Sequence, residues 1–218
     1  SDITRPMPNA RVLPVLLAEI ERVVPRDQIL LLNALGTHRP NSAEELAAML
    51  GADIVRRYRI AQHDAWDTAN LVAVGRTGHG HDIVVNKAFY ESTVKLLTGC
   101  IEPHFFAGFS GGPKAVLPGV AGIDSIMDNH GCGMLADPAA TWGRTSGNPV
   151  WEEMREAALM TQPSFLLNVT INRHHAITGV YAGELEAAHA RGTAATCFQK
   201  YIMKGAPFDV VLTPCLLF

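Results

Sequence analysis

Several chemically reactive residue types fall together in one segment of the chain, PHFFAGFSGGPK. His104 stands before an aromatic turn, Ser110, Gly111 and Gly112 form a glycine-rich loop, and Lys114 follows. Glycine loops bring backbone N–H groups close to an anion. A lysine beside such a loop can pair with phosphate or act as a nucleophile, and an imidazole can bind a metal or move a proton. These residue types indicate a site for a phosphate-bearing cofactor, although the P-loop spacing is absent.

Two further histidines stand in glycine-containing turns, His38 in GTHRP and His130 in DNHGCG. Ligands of open α/β sheets bind beyond the carboxyl ends of the strands. Because His38 and His104 each follow a predicted strand, we expect both to face one crevice. The alternative for each of the three is a half-buried loop histidine that is bonded to backbone carbonyls. His79 and His81, in GHGHD, are interpreted as a polar turn rather than a metal site.

Composition restricts the class of protein. The chain has 218 residues, of which 48% are hydrophobic, enough for one large domain or two small ones. Its net charge is −3, and no basic stripe indicates nucleic-acid binding. We find no apolar run of membrane-spanning length and no signal peptide. The four cysteines form no C-x-x-C pair, so we expect reduced thiols and a cytoplasmic protein.

Alternating apolar runs and helical patterns predict an α/β fold with a mostly parallel sheet flanked by helices on both faces. Strands are predicted at residues 28–35, 71–74, 94–97, 165–169 and 209–213. Helices are predicted at residues 12–24, 42–50, 149–160 and about 183–203. Pro14 would lie in the first turn of the first helix, and Ser42 and Glu45 have capping-box spacing at the start of the second. Asn148 would cap the third helix, and Gly192 would weaken the fourth.

We interpret residues 1–218 as a single α/β cofactor-binding domain. The chain begins at Ser1 without methionine, and it ends on the apolar Leu216, Leu217 and Phe218 directly after a predicted strand. We therefore expect it to be a fragment of a longer two-domain enzyme.

The motifs together resemble the nickel-dependent lactate racemase family, which uses a nickel pincer nucleotide as cofactor. The resemblance rests on DITRP at residues 2–6, GTHRP at 36–40, PHFFAGFSGGPK at 103–114, PGVAG at 118–122, NH at 129–130 and GNPVWEEM at 147–154. These motifs follow one another in the family's order, and they cover most of the chain. A dispersed set of this kind is far more specific than a single glycine loop.

The resemblance implies a role for each matching residue in the cofactor site. Lys114 would bond covalently to a thiocarboxyl arm of the cofactor as a thioamide, and His130 would ligate nickel. The cofactor supplies the other three nickel ligands, so one imidazole completes a square-planar site. Ser110, Gly111 and Gly112 would offer backbone amides to the cofactor phosphate.

The resemblance also implies how a substrate is handled. His38 and His104 would act as acid and base on opposite faces of a small 2-hydroxy acid, because the hydroxyl group of each enantiomer points to a different side. The α-hydrogen would leave as hydride to the cofactor. Asp2 and Arg5 would lie near the substrate, where arginine suits a carboxylate. A C-terminal domain of the same enzyme would close the cleft.

Two alternatives remain open at the level of the sequence. His38, His104 and His130 could hold zinc in a metal-dependent hydrolase, although catalytic zinc sites usually take two ligands from close spacing. The chain could also be a non-catalytic module that binds a nucleotide or stores the nickel cofactor.

Overall fold

The computed structural model describes residues 7–199. Helices and strands alternate along this part of the chain. The helices are α1 (Asn9–Ile20), α2 (Ala43–Leu50), α3 (Ala52–Arg57), α4 (Lys87–Glu91), α5 (Ile123–Asn129), α6 (Cys132–Leu135), α7 (Pro149–Met160) and α8 (Leu185–Gln199). The strands are β1 (Leu30–Asn33), β2 (Arg59–Gln62), β3 (Leu71–Arg76), β4 (Asp82–Asn86), β5 (Leu96–Cys100), β6 (Pro103–His104), β7 (Gly108–Phe109), β8 (Phe165–Ile171) and β9 (Ile177–Gly183).

The predicted α/β class is confirmed, and the sheets are mixed. Strands β1 and β2 pair in parallel, as do β5 and β8. Strand β9 pairs antiparallel with β8, and β3 pairs antiparallel with β4. Connection length explains the mixture, because a short turn can join only antiparallel neighbours. The β8–β9 turn closes with the Asn172 N–H donating to the Ala176 carbonyl at 3.0 Å.

The predicted strands occur with shifted bounds. The run at residues 28–35 contributes only Leu30–Asn33, because a short 3₁₀ turn precedes it. The strand predicted at 71–74 is β3, and it is only partly buried, since Ala73 is exposed in the hairpin with β4. The strand predicted at 94–97 begins later, at Leu96, and the one at 165–169 extends to Ile171. The strand predicted at 209–213 lies outside the described residues.

The local helix signals are confirmed. Ser42 accepts the backbone N–H of Glu45, and Glu45 in return accepts the N–H of Ser42, which completes the capping box of α2. The side chain of Asn148 accepts the N–H groups of Val150 and Trp151 at the start of α7. Local capping therefore begins both helices at the predicted residues.

Helices α1 and α8 differ from the prediction. Helix α1 begins three residues before the predicted start, so Pro14 lies inside it and not in its first turn. Gly192 does not interrupt α8, because the helix packs closely on the sheet there. A Cβ at Gly192 would come within 2.2 Å of Ile101 and 3.0 Å of Tyr181. The predicted end of this helix, near residue 203, lies outside the described residues.

Three apolar clusters hold the described elements together, and two of them position the site. One packs Leu13 and Leu17 of α1 against Ile29, Leu50 and the α3 residues. The larger one lies between the β3–β4 hairpin, strands β5 and β8, and helices α5, α7 and α8. The segment 115–121, which follows the glycine loop, runs through this larger core. The loop is therefore anchored at its C-terminal end by hydrophobic burial.

Candidate active site

A cavity of about 320 Å³ lies where the loops after β1 and β5 meet the glycine loop. It brings together residues that are far apart in sequence, namely His38, His104, Ser110, Gly111, Lys114 and His130. A larger cavity of about 410 Å³ lies beside α1 and β1, and its lining contains no titratable residue. We therefore place the candidate site in the smaller cavity. Asp2 and Arg5 lie outside the described residues.

His104 is held by the short hairpin of β6 and β7. The backbone N–H of Ala107 donates to its Nδ1 at 3.2 Å. The ring of Phe105 stacks on the imidazole with 4.6 Å between centroids, and Phe106 meets it edge-on at 4.5 Å. His104 is buried, so these contacts fix both its position and the direction of its Nε2 atom.

Lys114 extends from the 3₁₀ turn Gly112–Ala115 to the same place. Its Nζ lies 3.0 Å from the Nε2 of His104 and 5.6 Å from the centre of the Phe106 ring. The family resemblance gives these two residues different roles, yet their reactive atoms are in hydrogen-bond contact. We call His104, Lys114 and His130 the cavity cluster.

His130 lies at the C-terminal end of α5 and contacts Phe106 edge-on at 5.0 Å between centroids. Burial, with the nearby charge of Lys114, lowers its pKa to about 4, so the imidazole is neutral at pH 7. Its buried Nδ1 has no hydrogen-bond partner among the described residues. A neutral imidazole with an unsatisfied buried nitrogen fits the single metal ligand that the family resemblance implies.

The glycine loop is fixed by buried side chains from the far side of the sheet. The N–H of Gly112 donates to Asn168 Oδ1 at 2.7 Å, and the Nε2 of His189 donates to the Ser110 carbonyl at 3.0 Å. The N–H of Ser110 donates to the Glu102 carbonyl at 2.8 Å. The N–H groups of Ser110 and Gly112 are therefore bonded within the protein, and phosphate binding by this loop stays a prediction.

Gly111 and Gly112 are required by the close approach of these side chains. Both have positive φ, +73° and +51°. A Cβ at Gly111 would come within 2.6 Å of Asn168 Oδ1, and one at Gly112 within 2.5 Å of the His189 ring. Only glycine fits here, for reasons of conformation and of space. The glycines thus pack the loop onto β8 and α8, and Gly111 also lines the cavity.

His38 enters the cavity from the opposite side, on the loop after β1, and it is exposed. The Gly36 N–H donates to the Gly119 carbonyl at 3.0 Å, which docks this loop onto the segment that follows the glycine loop. Arg39 pairs with Glu45 at 2.6 Å and so supports the loop from the α2 side. Both predicted acid/base histidines therefore line one cavity.

The three histidines do not form a zinc site. Among residues 7–199, no group of three or more histidine, cysteine, aspartate or glutamate side chains is placed to hold a metal ion. The zinc alternative therefore lacks its ligand set in this part of the chain. The GHGHD segment is a polar turn, as predicted, closed by the Gly80 N–H donating to the Thr77 carbonyl at 2.8 Å.

A buried carboxylate that no sequence motif indicated contacts the residue before His130. Glu153 is fully buried, and it accepts from Thr77 Oγ1 at 2.7 Å, His81 Nδ1 at 2.8 Å and Asn129 Nδ2 at 2.9 Å. We call these four residues the Glu153 cluster. It ties α7 to the β3–β4 hairpin and to the residue that precedes His130.

Sequence reasoning also missed Asn168 and gave His189 little weight. Asn168 stands within an otherwise apolar strand, and this isolated amide is the one signal that could have identified it. His189 lies in α8 and stacks on Trp151 with 6.1 Å between ring centroids. Burial lowers its pKa, and nothing in its sequence context distinguishes it from a surface histidine.

The fold and the cavity define an α/β domain with a glycine loop, a lysine–histidine contact and a half-buried imidazole whose Nδ1 atom is buried. The family model of the lactate racemase N-terminal domain matches residues 1–143, and the chain belongs to that family. It is 40% identical over 192 residues to a lactate racemase from Lactiplantibacillus plantarum, covering 88% of this chain and 45% of that protein. A lactate racemase from Thermoanaerobacterium thermosaccharolyticum is 36% identical over 213 residues, covering 98% and 50%.

Solved structures agree with this assignment. The lactate racemase apoprotein from Thermoanaerobacterium thermosaccharolyticum superposes with a TM-score of 0.87 at 36% identity, covering 89% of this chain and 46% of that one. A protein from Thermotoga maritima superposes with a TM-score of 0.75 at 26% identity, covering 90% and 51%. The chain thus spans about half the length of the curated relatives that it matches.

Proposed function

We propose that the protein is a racemase or epimerase of a small, lactate-like 2-hydroxy acid that works with a covalently bound nickel pincer nucleotide. One observation carries the proposal: His38, His104, Lys114 and His130 line a single cavity in a chain of the lactate racemase family. The chain would form the cofactor-binding part of a cytoplasmic isomerase. A C-terminal domain would complete the cleft.

The residues of the cavity cluster suit the cofactor. Lys114 would carry it covalently, and the lone pair of the neutral His130 would complete the nickel coordination. When bound, the cofactor would supply the acceptor and donor of hydride. The commitment of the Ser110 and Gly112 amides leaves Gly111, of the three predicted loop residues, as the nearest candidate to face the phosphate.

The two acid/base histidines differ in their surroundings. His104 is buried and held by Ala107, whereas His38 is exposed on a loop. Each would take the hydroxyl proton of one enantiomer and, when that enantiomer is re-formed, return a proton to the oxygen of the keto form. Asp2 and Arg5, which lie outside the described residues, would hold the substrate carboxylate. Closure by a second domain would exclude water and retain the keto form.

The test uses the full-length enzyme loaded with cofactor and compares His38→Ala with His104→Ala. General acid/base catalysis contributes about 10²–10⁴-fold, so both variants should lose racemisation by that order. Keto acid is then trapped from each pure enantiomer. We expect the two variants to prefer opposite enantiomers, because each retains one of the two proton acceptors.

His174→Ala is the matched control, since His174 is exposed in the β8–β9 turn. It should racemise like the wild type. The same enantiomer preference in both cavity variants would refute the two-base arrangement. Nickel cofactor bound without any turnover in the unmodified enzyme would instead favour a non-catalytic cofactor-binding module.

A further inference from the structure

The motif GNPVWEEM has no part in the proposed function, yet it forms the start of α7, and its Asn148 is fully buried. The side chain of Asn148 bonds in two directions. Its Oδ1 accepts the N–H groups of Val150 and Trp151 at 3.1 Å and 3.3 Å. Its Nδ2 donates to the carbonyls of Phe106 and Arg144 at 2.9 Å and 3.0 Å. One side chain therefore caps a helix and also holds the backbone of Phe106.

These two uses together require an asparagine at position 148. Serine and aspartate cap helices as well as asparagine does. An ionised aspartate is only an acceptor, and serine has a single hydroxyl group on a side chain that is one atom shorter. The amide of Asn148 offers an acceptor and two donors at once, so it satisfies the helix N–H groups and both carbonyls. The capping role alone does not explain this residue.

The ring of Phe106 contacts every member of the cavity cluster. It meets the His104 imidazole edge-on with 4.5 Å between centroids, and the His130 imidazole edge-on at 5.0 Å. The Nζ of Lys114 lies 5.6 Å from the centre of the same ring. Phe106 is half-buried and packs against the larger apolar core. Because close-packed side chains hold fixed positions, the placement of this ring sets the spacing of the three reactive groups.

The hairpin that carries His104 is docked onto the segment before α7. The N–H of Gly143 donates to the Gly108 carbonyl at 3.0 Å. Gly108 has a φ of +74°, and a Cβ at this position would overlap the carbonyl oxygen of Arg144. Glycine is therefore needed for the close approach of the two segments. Together with the bonds from Asn148, these contacts fix the hairpin relative to α7.

The N-terminal end of α7 also holds the residue that precedes His130. The Nδ2 of Asn129 donates to the Val150 carbonyl at 3.1 Å and to the Glu153 carboxylate at 2.9 Å. Asn129 is fully buried, so these bonds are shielded from water. One end of a single helix thus binds the hairpin of His104 and the C-terminal end of α5, which carries His130.

We propose that Asn148 is a positioning residue of the active site: through Phe106 it sets the distance and orientation of His104 relative to His130. The catalytic meaning of this inference rests on the proposed function, in which one imidazole moves a proton and the other binds nickel. A displacement of about 1 Å caused by a distant substitution can cost about 10²-fold in rate. Such a cost is expected from Asn148, although it is not among the residues that line the cavity.

The test records the imidazole NMR signals of the cofactor-free, full-length protein labelled at histidine. His104→Ala and His130→Ala identify the two signals by their loss. An aromatic ring shifts the signals of groups that pack against it, so Phe106→Leu gives the position of each signal without the ring. We expect Asn148→Ser to move both signals part of the way toward those positions, because the Phe106 backbone loses its partner and the ring shifts.

The choice of variants separates positioning from capping. Asn148→Ser keeps an N-cap for α7, so a role in capping alone predicts no movement of either signal. Asn148→Asp also keeps the cap but has no donor for the two carbonyls, and it decides the matter if circular dichroism shows that Asn148→Ser does not fold. Ser42→Ala is the matched control, because it removes the cap of α2 and should leave both signals in place.

A second readout uses the loaded, full-length enzyme, in which a folded Asn148 variant should lower kcat by up to about 10²-fold with little change in KM. Wild-type kcat in that variant would overturn the proposal. So would a His104 or His130 signal that stays at its wild-type position, or signals that Ser42→Ala moves equally. An unmodified enzyme without racemase activity would refute the proposed function, whereas moved signals in that protein would still support the placement of Phe106 by Asn148.

Discussion

The Glu153 cluster and the cavity cluster both bury polar side chains, but they satisfy them differently. In the Glu153 cluster each carboxylate oxygen has at least one donor, and Asn129 Oδ1 is its one unpaired buried atom. In the cavity cluster Lys114 and His104 contact each other beside open space, and the buried Nδ1 of His130 has no described partner. Each cluster thus keeps one buried atom without a described partner, but the Glu153 carboxylate receives three donors and ties elements together, whereas the Lys114–His104 contact borders the cavity.

Removing the centre of the Glu153 cluster should have the largest effect on stability. Glu153→Ala leaves three buried or half-buried donors without their acceptor, and we expect a loss of about 3–5 kcal/mol in the free energy of unfolding. Urea unfolding of the cofactor-free protein measures it. The matched control is Glu91→Ala, whose ion pair with Lys87 at 3.9 Å is exposed and should be worth less than about 0.5 kcal/mol. Similar losses in both variants would contradict the structural importance of the cluster.

Gly112→Ala tests how closely the glycine loop packs on α8. The new Cβ would meet the His189 ring at 2.5 Å in a backbone conformation with φ of +51°, so we expect destabilisation of about 2–3 kcal/mol. Gly133→Ala in α6 is the control, because a Cβ there meets nothing within 4 Å. It should be neutral or stabilise the protein by up to about 1 kcal/mol. A tolerated Gly112→Ala would mean that the loop is not packed as described.

His130 should make the cofactor-free protein sensitive to acid. Its folded-state pKa of about 4 lies below the ordinary value of 6.5. Between these two pH values the unfolded chain binds a proton at His130 that the native state does not bind. The free energy of unfolding therefore falls as the pH falls. From pH 7 to pH 5 the loss should be about 1–2 kcal/mol. His130→Ala should reduce this slope and, in the loaded enzyme, abolish nickel binding with little change in circular dichroism. An unchanged slope together with full nickel content would exclude His130 as the metal ligand.

The capping box of α2 adds a third polar cluster to the comparison, and its hydrogen bonds join residues that are close in sequence. Ser42→Ala removes the acceptor for the Glu45 N–H, and we expect a loss of about 1 kcal/mol. The loss should not change metal content, because the box lies outside the cavity. A loss as large as that of Glu153→Ala would show that burial does not separate the two kinds of cluster.

Local signals and long-range contacts differ in what the sequence reveals. The caps at Ser42 and Asn148 were predictable because donor and acceptor lie within three residues. The loops that carry His38 and His104 could be predicted to meet, because ligands of open α/β sheets bind beyond the carboxyl ends of the strands. The contacts of Gly112 with Asn168 and of Ser110 with His189 were not, since they join residues 56 and 79 positions apart.

Those distant contacts also show a second use of the glycine loop. A glycine-rich loop beside a lysine is typical of phosphate binding, and that interpretation assigns the loop amides to a ligand. Two of those amides instead bond to Asn168 and Glu102 within the protein. The same residue type serves close packing and anion binding, so the sequence alone cannot separate the two uses.

The central claim is that the cavity cluster holds a nickel cofactor on Lys114. Its most direct test is the intact mass and nickel content of the full-length protein produced together with the enzymes that make the cofactor. The unmodified protein should carry a covalent adduct that peptide mapping places on Lys114, together with about one nickel per chain. Lys114→Ala and Lys114→Arg should both lack the adduct, because neither side chain offers a neutral amine. An adduct that persists in either variant, or that maps to another residue, would contradict the account.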